Sequence, residues 1–394
     1  MPANLYEIDK KLEKCHDNFC IMNVLFDEEL LPIERSELLY KDPPPIECIW
    51  FKKLEGLLLG TAIGDIIGSE FEIIDGKSKM PKRFEIKGYY PSAHITDDTQ
   101  LTFWTLEVLL EHGWFNPRAL AKRYLRERIR GIGHTVKSFI RNYKDLKVPW
   151  YLAGVKSAGN GALMKLSPVI IPHLVEQSKK LWSDAVVTTY LIYNDRLAIS
   201  SAVAFTSIFW ELMKINHPPE PEWWLEEYLK VGRELEGDKS NYSMRFGEYK
   251  GYRGPAWYFI EKVLTEALKE KWSLRKLDEK VGSGAYLLET IPMVLYSLML
   301  YADKPFEALV ESVSNSKDCD TIGAIVGSII GALHGVKAFP SHLVEPLLSG
   351  KLLPSQFLRL IIKAEEYLIN QKKNSGAQIL IETDDTVLAA GEVF

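Results

Sequence analysis

The sequence predicts an all-α protein, a compact multi-helix bundle that carries an N-terminal extension. Apolar residues recur at helical spacing through most of the 394-residue chain. Runs of alternating β-branched residues flanked by hairpin turns are nearly absent, which argues against a sheet protein. No fixed-period repeat is visible, so a globule is expected rather than a repeat array.

The chain is longer than a typical single domain, so one large domain with additions is expected. We predict an N-terminal extension over residues 1–48, a helical domain over residues 49–370 and a C-terminal tail over residues 371–394. Leu5, Ile8 and Leu12 in the extension fall near helical spacing. The extension is either a strap that packs on its own domain or an arm that reaches a protein partner.

Composition and charge exclude several classes of protein. The net charge is -5 at pH 7 and basic residues are interspersed with acids, so no nucleic-acid partner is expected. The N-terminus is too polar for a secretory signal, and the most apolar run, residues 322–333, is too short to span a membrane. The cysteines fit neither a zinc motif nor a disulfide framework, so we predict reduced thiols in a cytoplasmic protein. They are Cys15, Cys20, Cys48 and Cys319.

A helix rich in small residues is predicted over residues 50–72. Glycine disfavours an exposed helix, so its small-residue face is expected to lie against another backbone or a ligand. Asp65 lies inside this apolar pattern, where a lone charge needs a partner or a metal. The glycines recur at every fourth position, as Gly56, Gly60, Gly64 and Gly68.

Further helices are expected along most of the remaining chain. Residues 237–255 are expected to form an exposed loop, and the tail has no clear pattern. The predicted helices cover residues 101–112, 117–130, 133–143, 223–235, 257–270, 287–301, 305–314, 322–333 and 347–370, with two more between 183 and 214 that meet near Asn194 and Asp195.

Two similar acidic stretches lie far apart in the chain, each before an apolar segment. Taken alone, either one is compatible with an ordinary helix N-cap. Adjacent carboxylates repel each other unless solvent or a cation screens them, and clusters of oxygen ligands suit hard cations. Recurrence of the pattern therefore favours a metal site. The stretches are Thr96-Asp97-Asp98-Thr99 and Asp318-Cys319-Asp320-Thr321.

A loop over residues 149–161 is rich in small residues, and such a loop can present backbone N–H groups to an anion. Ser157, Gly159, Asn160 and Gly161 lie in its second half. Lys156 and Lys165 flank this part of the loop; they either assist anion binding or are simply solvated.

Four stretches in order, between Leu54 and Gly335, resemble the motifs of the ADP-ribosylglycohydrolases, the family of the dinitrogenase reductase-activating glycohydrolase. Any one motif is weak, but four in order are specific. They are the signature Gly60, Gly64, Asp65, Gly68 and Glu72; the first acidic motif Thr96 to Thr99; the loop Gly159, Asn160, Gly161, Ala162 and Met164; and the second acidic motif Asp318, Asp320 and Thr321 with Gly323, Gly327 and Gly331.

The resemblance implies an all-α fold with a dinuclear magnesium or manganese centre that cleaves the bond between ADP-ribose and its acceptor. Ser157, Gly159, Asn160 and Gly161 would line the path of the diphosphate and distal ribose. Asp65 would be a structural acid, and Glu72 would lie beside the metals. Either Glu72 or a metal-site aspartate, Asp97 or Asp320, would be the catalytic acid or base. The implied metal ligands are Thr96, Asp97, Asp98, Asp318, Asp320 and Thr321.

The chain departs from the family pattern at two places. Ser316 and Lys317 stand where members often have two glycines, and Ile192 and Tyr193 stand where a Thr-His pair is expected. That histidine helps to hold the substrate in the family, so the departure concerns substrate binding. The metal ligands are unaffected.

The overall layout is similar to that of immunity-type hydrolases, which protect bacteria from ADP-ribosylating toxins. We therefore expect an enzyme that removes ADP-ribose from arginine side chains of modified proteins. The alternatives are a partner-binding inhibitor that occludes a toxin's active site with its N-terminal arm, and a hydrolase of ADP-ribosylserine or small ADP-ribosylated metabolites.

The expected chemistry explains the residue types. Ribosyl transfer passes through an oxocarbenium-like state, and two hard cations can bind the vicinal ribose hydroxyls. Both acidic motifs precede apparent helices, where the helix dipole disfavours cations, so the carboxylates must outweigh it. We therefore predict that metal binding raises the stability of the protein.

Overall fold

The computed structural model describes residues 5–71, 73–74, 77–78, 88–89 and 93–388, and these are predominantly helical. The all-α prediction is confirmed. The first half of the chain contains α1 (Leu5–Glu13), α2 (Asn18–Asp27), α3 (Phe51–Phe71), α4 (Asp97–His112), α5 (Pro117–Arg123), α6 (His134–Ile140), α7 (Trp150–Ala153), α8 (Lys180–Tyr190) and α9 (Arg196–Lys214).

The second half adds another series of helices and a few short strands. The helices are α10 (Pro221–Glu236), α11 (Ala256–Glu270), α12 (Leu274–Val281), α13 (Leu287–Tyr301), α14 (Pro305–Ser314), α15 (Cys319–His334), α16 (Ser341–Leu348) and α17 (Ser355–Ser375). The strands within the described residues are β1 (Cys48–Trp50), β2 (Ile73–Ile74), β3 (Lys77–Ser78), β4 (Tyr242–Ser243), β5 (Arg253–Gly254) and β6 (Leu380–Glu382). β1 pairs in parallel with β6, and β2–β3 and β4–β5 are antiparallel pairs.

The two glycine-spaced helices, α3 and α15, pack against each other with their backbones in contact. A Cβ atom at Gly60 would lie 2.2 Å from Gly327 O, and one at Gly64 would lie 1.9 Å from Gly323 O. Because the register runs antiparallel, the C-terminal part of α3 meets the start of α15. This packing brings Asp65 to the second acidic motif.

Several predicted boundaries differ from the structure. The helix predicted over residues 117–130 ends at Arg123, and the chain then turns so that Gly131 reaches Asp97. The helix predicted over residues 133–143 gives way to a π-helical turn at Arg141–Asp145. The expected loop over residues 237–255 contains the β4–β5 hairpin.

The described part of the C-terminal tail has more regular structure than its sequence suggests. α17 continues to Ser375, and β6 follows it. The backbone amides of Val387 and Leu388 then donate hydrogen bonds to the carboxylate of Glu55. These contacts tie the described part of the tail to the start of α3.

The N-terminal extension packs on the helical domain, as the strap alternative requires. Met22 and Leu25 of α2 are fully buried. The side-chain amide of Asn18 donates to Phe115 O at 2.9 Å and to Asp184 Oδ1 at 2.7 Å. Further along, Trp210 Nε1 donates to Pro44 O at 2.7 Å.

The reduced-thiol prediction is wrong for two of the four cysteines. Cys15 and Cys20 are joined by a disulfide, because the turn between α1 and α2 brings their Cα atoms to 5.4 Å. Cys48 and Cys319 are free thiols. The disulfide partners are only five positions apart in the sequence.

Within the described residues α9 is the one helix that is long and apolar enough to cross a membrane. Of the most apolar 18-residue stretch of α9, 89% is buried inside the protein, as in a core helix. Phe205, Ile208 and Trp210 on this helix are fully buried in the core.

Candidate metal centre

The centre is built around Asp65, which lies on α3 and accepts hydrogen bonds from the start of α4. Its carboxylate accepts from Thr96 N at 2.9 Å, Thr96 Oγ1 at 2.6 Å, Thr99 N at 3.2 Å and Thr99 Oγ1 at 2.5 Å. These bonds satisfy donors that the first turn of a helix leaves unpaired. The prediction of a structural acid at this position therefore agrees with the contacts.

Asp65 also belongs to the acidic cluster itself. Carboxylate oxygens of Asp65, Asp98 and Asp320 all lie within 4.8 Å of one another, and the three residues are buried. Asp98 and Asp320 were predicted as metal ligands, whereas Asp65 was expected to need a partner or a metal and was assigned as a structural acid. Its position between Gly64 and Gly68, on the face that meets α15, is the signal that points to it.

The hydrogen bonds of the cluster leave part of its charge uncompensated. Thr96 Oγ1 lies 2.6 Å from Asp65 and 3.1 Å from Asp98 Oδ2, and its single proton can serve one of them at a time. Asp98 Oδ1 is buried and has no hydrogen-bond partner among the described residues. An orphaned carboxylate oxygen in a buried site is costly unless a cation or a proton reaches it.

Burial raises the pKa of Asp65, Asp98 and Asp320 in this cluster and of the adjoining Asp97. Burial is the larger cause in each case, and neighbouring carboxylates add to it for the first acidic motif and Asp65. The pKa of Asp65 and that of Asp97 rise to about 7, and the pKa of Asp98 rises well above its usual range. Burial also raises the pKa of Asp320. A group of oxygen ligands with so much confined charge fits a hard divalent cation.

The other implied ligands adjoin this group. Asp97 is the first residue of α4, and its carboxylate accepts a hydrogen bond from the Gly133 amide. Asp318 caps α15, and Asp320 Oδ1 accepts from the Thr321 amide at 2.8 Å. Thr321 is buried in the first turn of that helix. Both acidic motifs therefore converge at helix starts, as the sequence predicted. Glu72 lies outside the described residues.

The small-residue loop is joined to the acidic cluster by Asn160, whose side-chain amide donates to Asp318 Oδ2. The backbone N–H of Asn160 donates to Ala285 O at 3.0 Å, and the backbone N–H of Leu287 donates to Ala158 O at 3.0 Å. The hydroxyls of Ser157 and Thr135 lie 2.9 Å apart. The loop is thus held in place beside the cluster from two sides.

Tyr193, at one of the departures from the family pattern, lies under this loop. A Cβ atom at Gly161 would lie 2.1 Å from the Tyr193 hydroxyl, so this tyrosine leaves room only for glycine. The side chain is buried, and burial raises its pKa, with the charges of Asp97 and Asp98 adding to the effect. Tyr193 therefore stands next to both the loop and the acidic cluster.

The two flanking lysines differ in their surroundings. Lys165 is buried and its Nζ donates to Thr188 O at 2.8 Å, so it faces the core rather than the loop. Burial lowers its pKa to about 7. Lys156 is exposed.

The family model for the ADP-ribosylglycohydrolases matches residues 49–372, which is most of the chain. The chain belongs to the ADP-ribosylglycohydrolase family. This membership agrees with the four motifs, and hydrolysis of an ADP-ribosyl bond is the activity class of the family.

Relatives share the family domain at low identity. ADP-ribosylhydrolase ARH3 of Xenopus tropicalis is 27% identical over 329 residues, which cover 73% of this chain and 89% of the relative. ADP-ribosylhydrolase ARH3 of Homo sapiens is 22% identical over 325 residues, covering 73% of this chain and 87% of the relative. A solved structure described as an ADP-ribosylglycohydrolase-related protein complex matches with a TM-score of 0.56 at 23% identity, covering 80% of this chain and 98% of that chain. The last likeness supports the fold.

Proposed function

We propose that this ADP-ribosylglycohydrolase is a metal-dependent enzyme that removes ADP-ribose from modified protein side chains, with arginine as the acceptor. The observation that carries the proposal is the contact between Asn160 and Asp318, which joins the small-residue loop to the acidic cluster. When bound there, two Mg²⁺ or Mn²⁺ ions would supply ligand positions for the ribose hydroxyls and for a water molecule. The ligands would be Thr96, Asp97, Asp98, Asp318, Asp320 and Thr321, with Asp65 supporting them.

The loop supplies the groups that an ADP diphosphate needs. No backbone carbonyl of the described residues accepts the amides of Ser157 and Gly159, so both remain able to donate to an anion. Asn160 and Gly161 complete the loop and position it against α15. Binding of the diphosphate here would bring the distal ribose to the acidic cluster.

The carboxylates next to the ribose then act on its anomeric carbon. Positive charge develops there in an oxocarbenium-like transition state, and buried carboxylates stabilise it. Asp97 and Asp320, together with Glu72, are the candidates for the acid or base that moves the proton. The leaving group would be the guanidine of arginine, with the hydroxyl of serine as the alternative.

Release of ADP-ribose from defined peptides tests this proposal. The protein is incubated with ADP-ribosylarginine and ADP-ribosylserine peptides and Mg²⁺ or Mn²⁺, and free ADP-ribose is followed. We expect release from the arginine peptide, a decrease of about 100-fold in Asp98→Asn, and full activity in the exposed control Asp303→Asn. Release from the serine peptide alone would show that the acceptor is serine instead of arginine. Absence of release from both peptides with either metal would reject the function.

The proposed biological role is to reverse the action of a toxin ADP-ribosyltransferase. Occlusion of a toxin by the N-terminal arm is less well supported, because α2 buries Met22 and Leu25 against the domain. Leu5 and Tyr6 are the large apolar side chains that α1 exposes and could offer to a partner. If Asp97→Ala still neutralised a transferase whereas Tyr6→Ser did not, occlusion would replace hydrolysis as the explanation.

A further inference from the structure

A groove opens directly beside the candidate metal centre. It has a volume of about 1370 Å³ and is bounded by the chain from Tyr124 to Ile132 on one side and by Lys137, Ile140 and Lys144 on the other. Its inner edge is Gly131, where a Cβ atom would lie 3.0 Å from Asp97 Oδ1. The groove and the acidic cluster therefore share a wall.

The groove is strongly basic in a protein whose net charge is -5. Arg128, Arg130, Lys137 and Lys144 line it, all are exposed, and none forms an ion pair within the described residues. The acid on its lining, Glu127, pairs instead with Arg123 at 3.0 Å. Four unpaired cations around one concave surface attract an anionic ligand and repel one another without it.

The arginine wall is held in a fixed relation to the metal centre. Gln100, on the first turns of α4, accepts a hydrogen bond from Arg130 N at 2.8 Å and donates to Arg128 O at 3.3 Å. The same helix begins with Asp97 and Asp98. A ligand on this wall is thus held at a fixed position relative to the metal centre.

We propose that this basic groove binds an acidic segment of the ADP-ribosylated acceptor protein. This inference rests on the proposed function. The apolar side chains of Leu125, Ile132 and Ile140 lie among the cations and suit the aliphatic parts of a polypeptide. A nucleic acid or a chain of ADP-ribose units would gain from base stacking, but the described lining of the groove exposes no large aromatic face: Tyr124 is 1% exposed, and the other ring on the lining is the small imidazole of His94. The groove therefore favours carboxylates on a polypeptide.

Direct binding tests the groove independently of hydrolysis. Fluorescence anisotropy compares an unmodified peptide rich in Asp and Glu with its Asn and Gln counterpart. We expect Lys137→Gln/Lys144→Gln to weaken binding of the acidic peptide about fivefold, and added salt to weaken it further. The matched control, Lys269→Gln/Lys373→Gln, changes two exposed lysines elsewhere and is expected to bind normally. Unchanged binding in the groove variant, or a larger loss for an ADP-ribose oligomer or single-stranded RNA than for the acidic peptide, overturns the inference.

Turnover separates this inference from the proposed function. On ADP-ribosylated peptides with acidic flanks, the groove variant is expected to have a KM about fivefold higher with kcat unchanged, while peptides with neutral flanks react as before. If all peptides are hydrolysed and the variant shows no difference between flanks, the inference fails and the function stands. If no peptide is hydrolysed but the acidic peptide still loses affinity in the variant, the function fails and the groove stands as an acidic-peptide site.

Discussion

Asn160 donates a hydrogen bond from its side-chain amide to Asp318 Oδ2, although 158 positions separate the two residues in the chain. The contact fixes the small-residue loop against the start of α15. It also orients a carboxylate that is an implied metal ligand, and partners of this kind tune metal binding in many sites.

Replacing Asn160 is expected to impair activity more than stability. In Asn160→Ala, Asp318 loses its oriented partner and the loop loses its link to α15, so ADP-ribose release should fall about 10- to 100-fold. The melting temperature should change little, because the loop keeps its backbone bonds to residues 285 and 287. Asn23→Ala, an amide deletion in α2 remote from the site, is the control. Equal activity in the two variants would contradict the role given to Asn160.

The close packing of α3 on α15 predicts that adding even one methyl group at the contact strongly destabilises the protein. A Cβ atom in Gly64→Ala would overlap Gly323 O at 1.9 Å, and a backbone atom cannot move aside as a side chain can. We expect a loss of about 3 kcal/mol or more in the free energy of unfolding, measured by urea denaturation.

Gly232→Ala on α10 is the matched control for this helix pair. Its nearest neighbour is the Tyr228 ring at 3.3 Å, and alanine is the better helix former. A loss in Gly64→Ala no larger than that in Gly232→Ala would show that the backbone contact is dispensable.

Glu365 on α17 should make the stability of the protein depend on pH. Burial, with the charges of Glu55 and Glu366 adding to it, raises the pKa of Glu365 from 4.5 to about 8. The folded state therefore holds a proton that the unfolded state releases, so this contribution to stability is complete below pH 4.5 and is lost as the pH rises to about 8. Glu365→Gln is expected to raise the free energy of unfolding by roughly 2 kcal/mol at about pH 8.5 and to change it little at about pH 4.5.

The neighbouring Glu366 provides the control, because it is exposed on the same helix. Glu366→Gln should change stability only slightly at both pH values. If Glu365→Gln raised the free energy of unfolding equally at both pH values, titration of this carboxyl group would not be the cause.

Tyr193 and Gly161 should behave as a coupled pair. A methyl group in Gly161→Ala would meet the Tyr193 hydroxyl at 2.1 Å and displace the loop, so activity should fall at least about tenfold. In Gly161→Ala/Tyr193→Phe the nearest remaining atom is the ring carbon at 3.2 Å, and part of the activity should return. Additive losses in the double variant would exclude direct contact as the reason.

The local patterns of the sequence predicted most of the helices and drew attention to the two acidic stretches, but they did not predict which distant residues meet. Glycine spacing indicated that α3 approaches another backbone closely, yet only the fold shows that the partner is α15. Asp65 was expected to need a partner or a metal, but the sequence did not show which one, since its neighbours Asp98 and Asp320 come from other helices. The docking of the tail on Glu55 leaves no periodic signal, because it depends on two backbone amides.

Divalent metal should stabilise the folded protein through this cluster. The orphaned Asp98 Oδ1 and the raised pKa values of Asp65 and Asp97 indicate confined charge that a cation would neutralise. Mg²⁺ or Mn²⁺ at about 100 times its dissociation constant should add roughly 2.7 kcal/mol, or about 3 °C in melting temperature, relative to protein in chelator. Asp98→Asn should lose this shift, whereas the exposed Asp303→Asn should keep it. Identical melting curves with metal and with chelator would mean that the carboxylates are neutralised by protons instead, and the metal-dependent function would lose its physical basis.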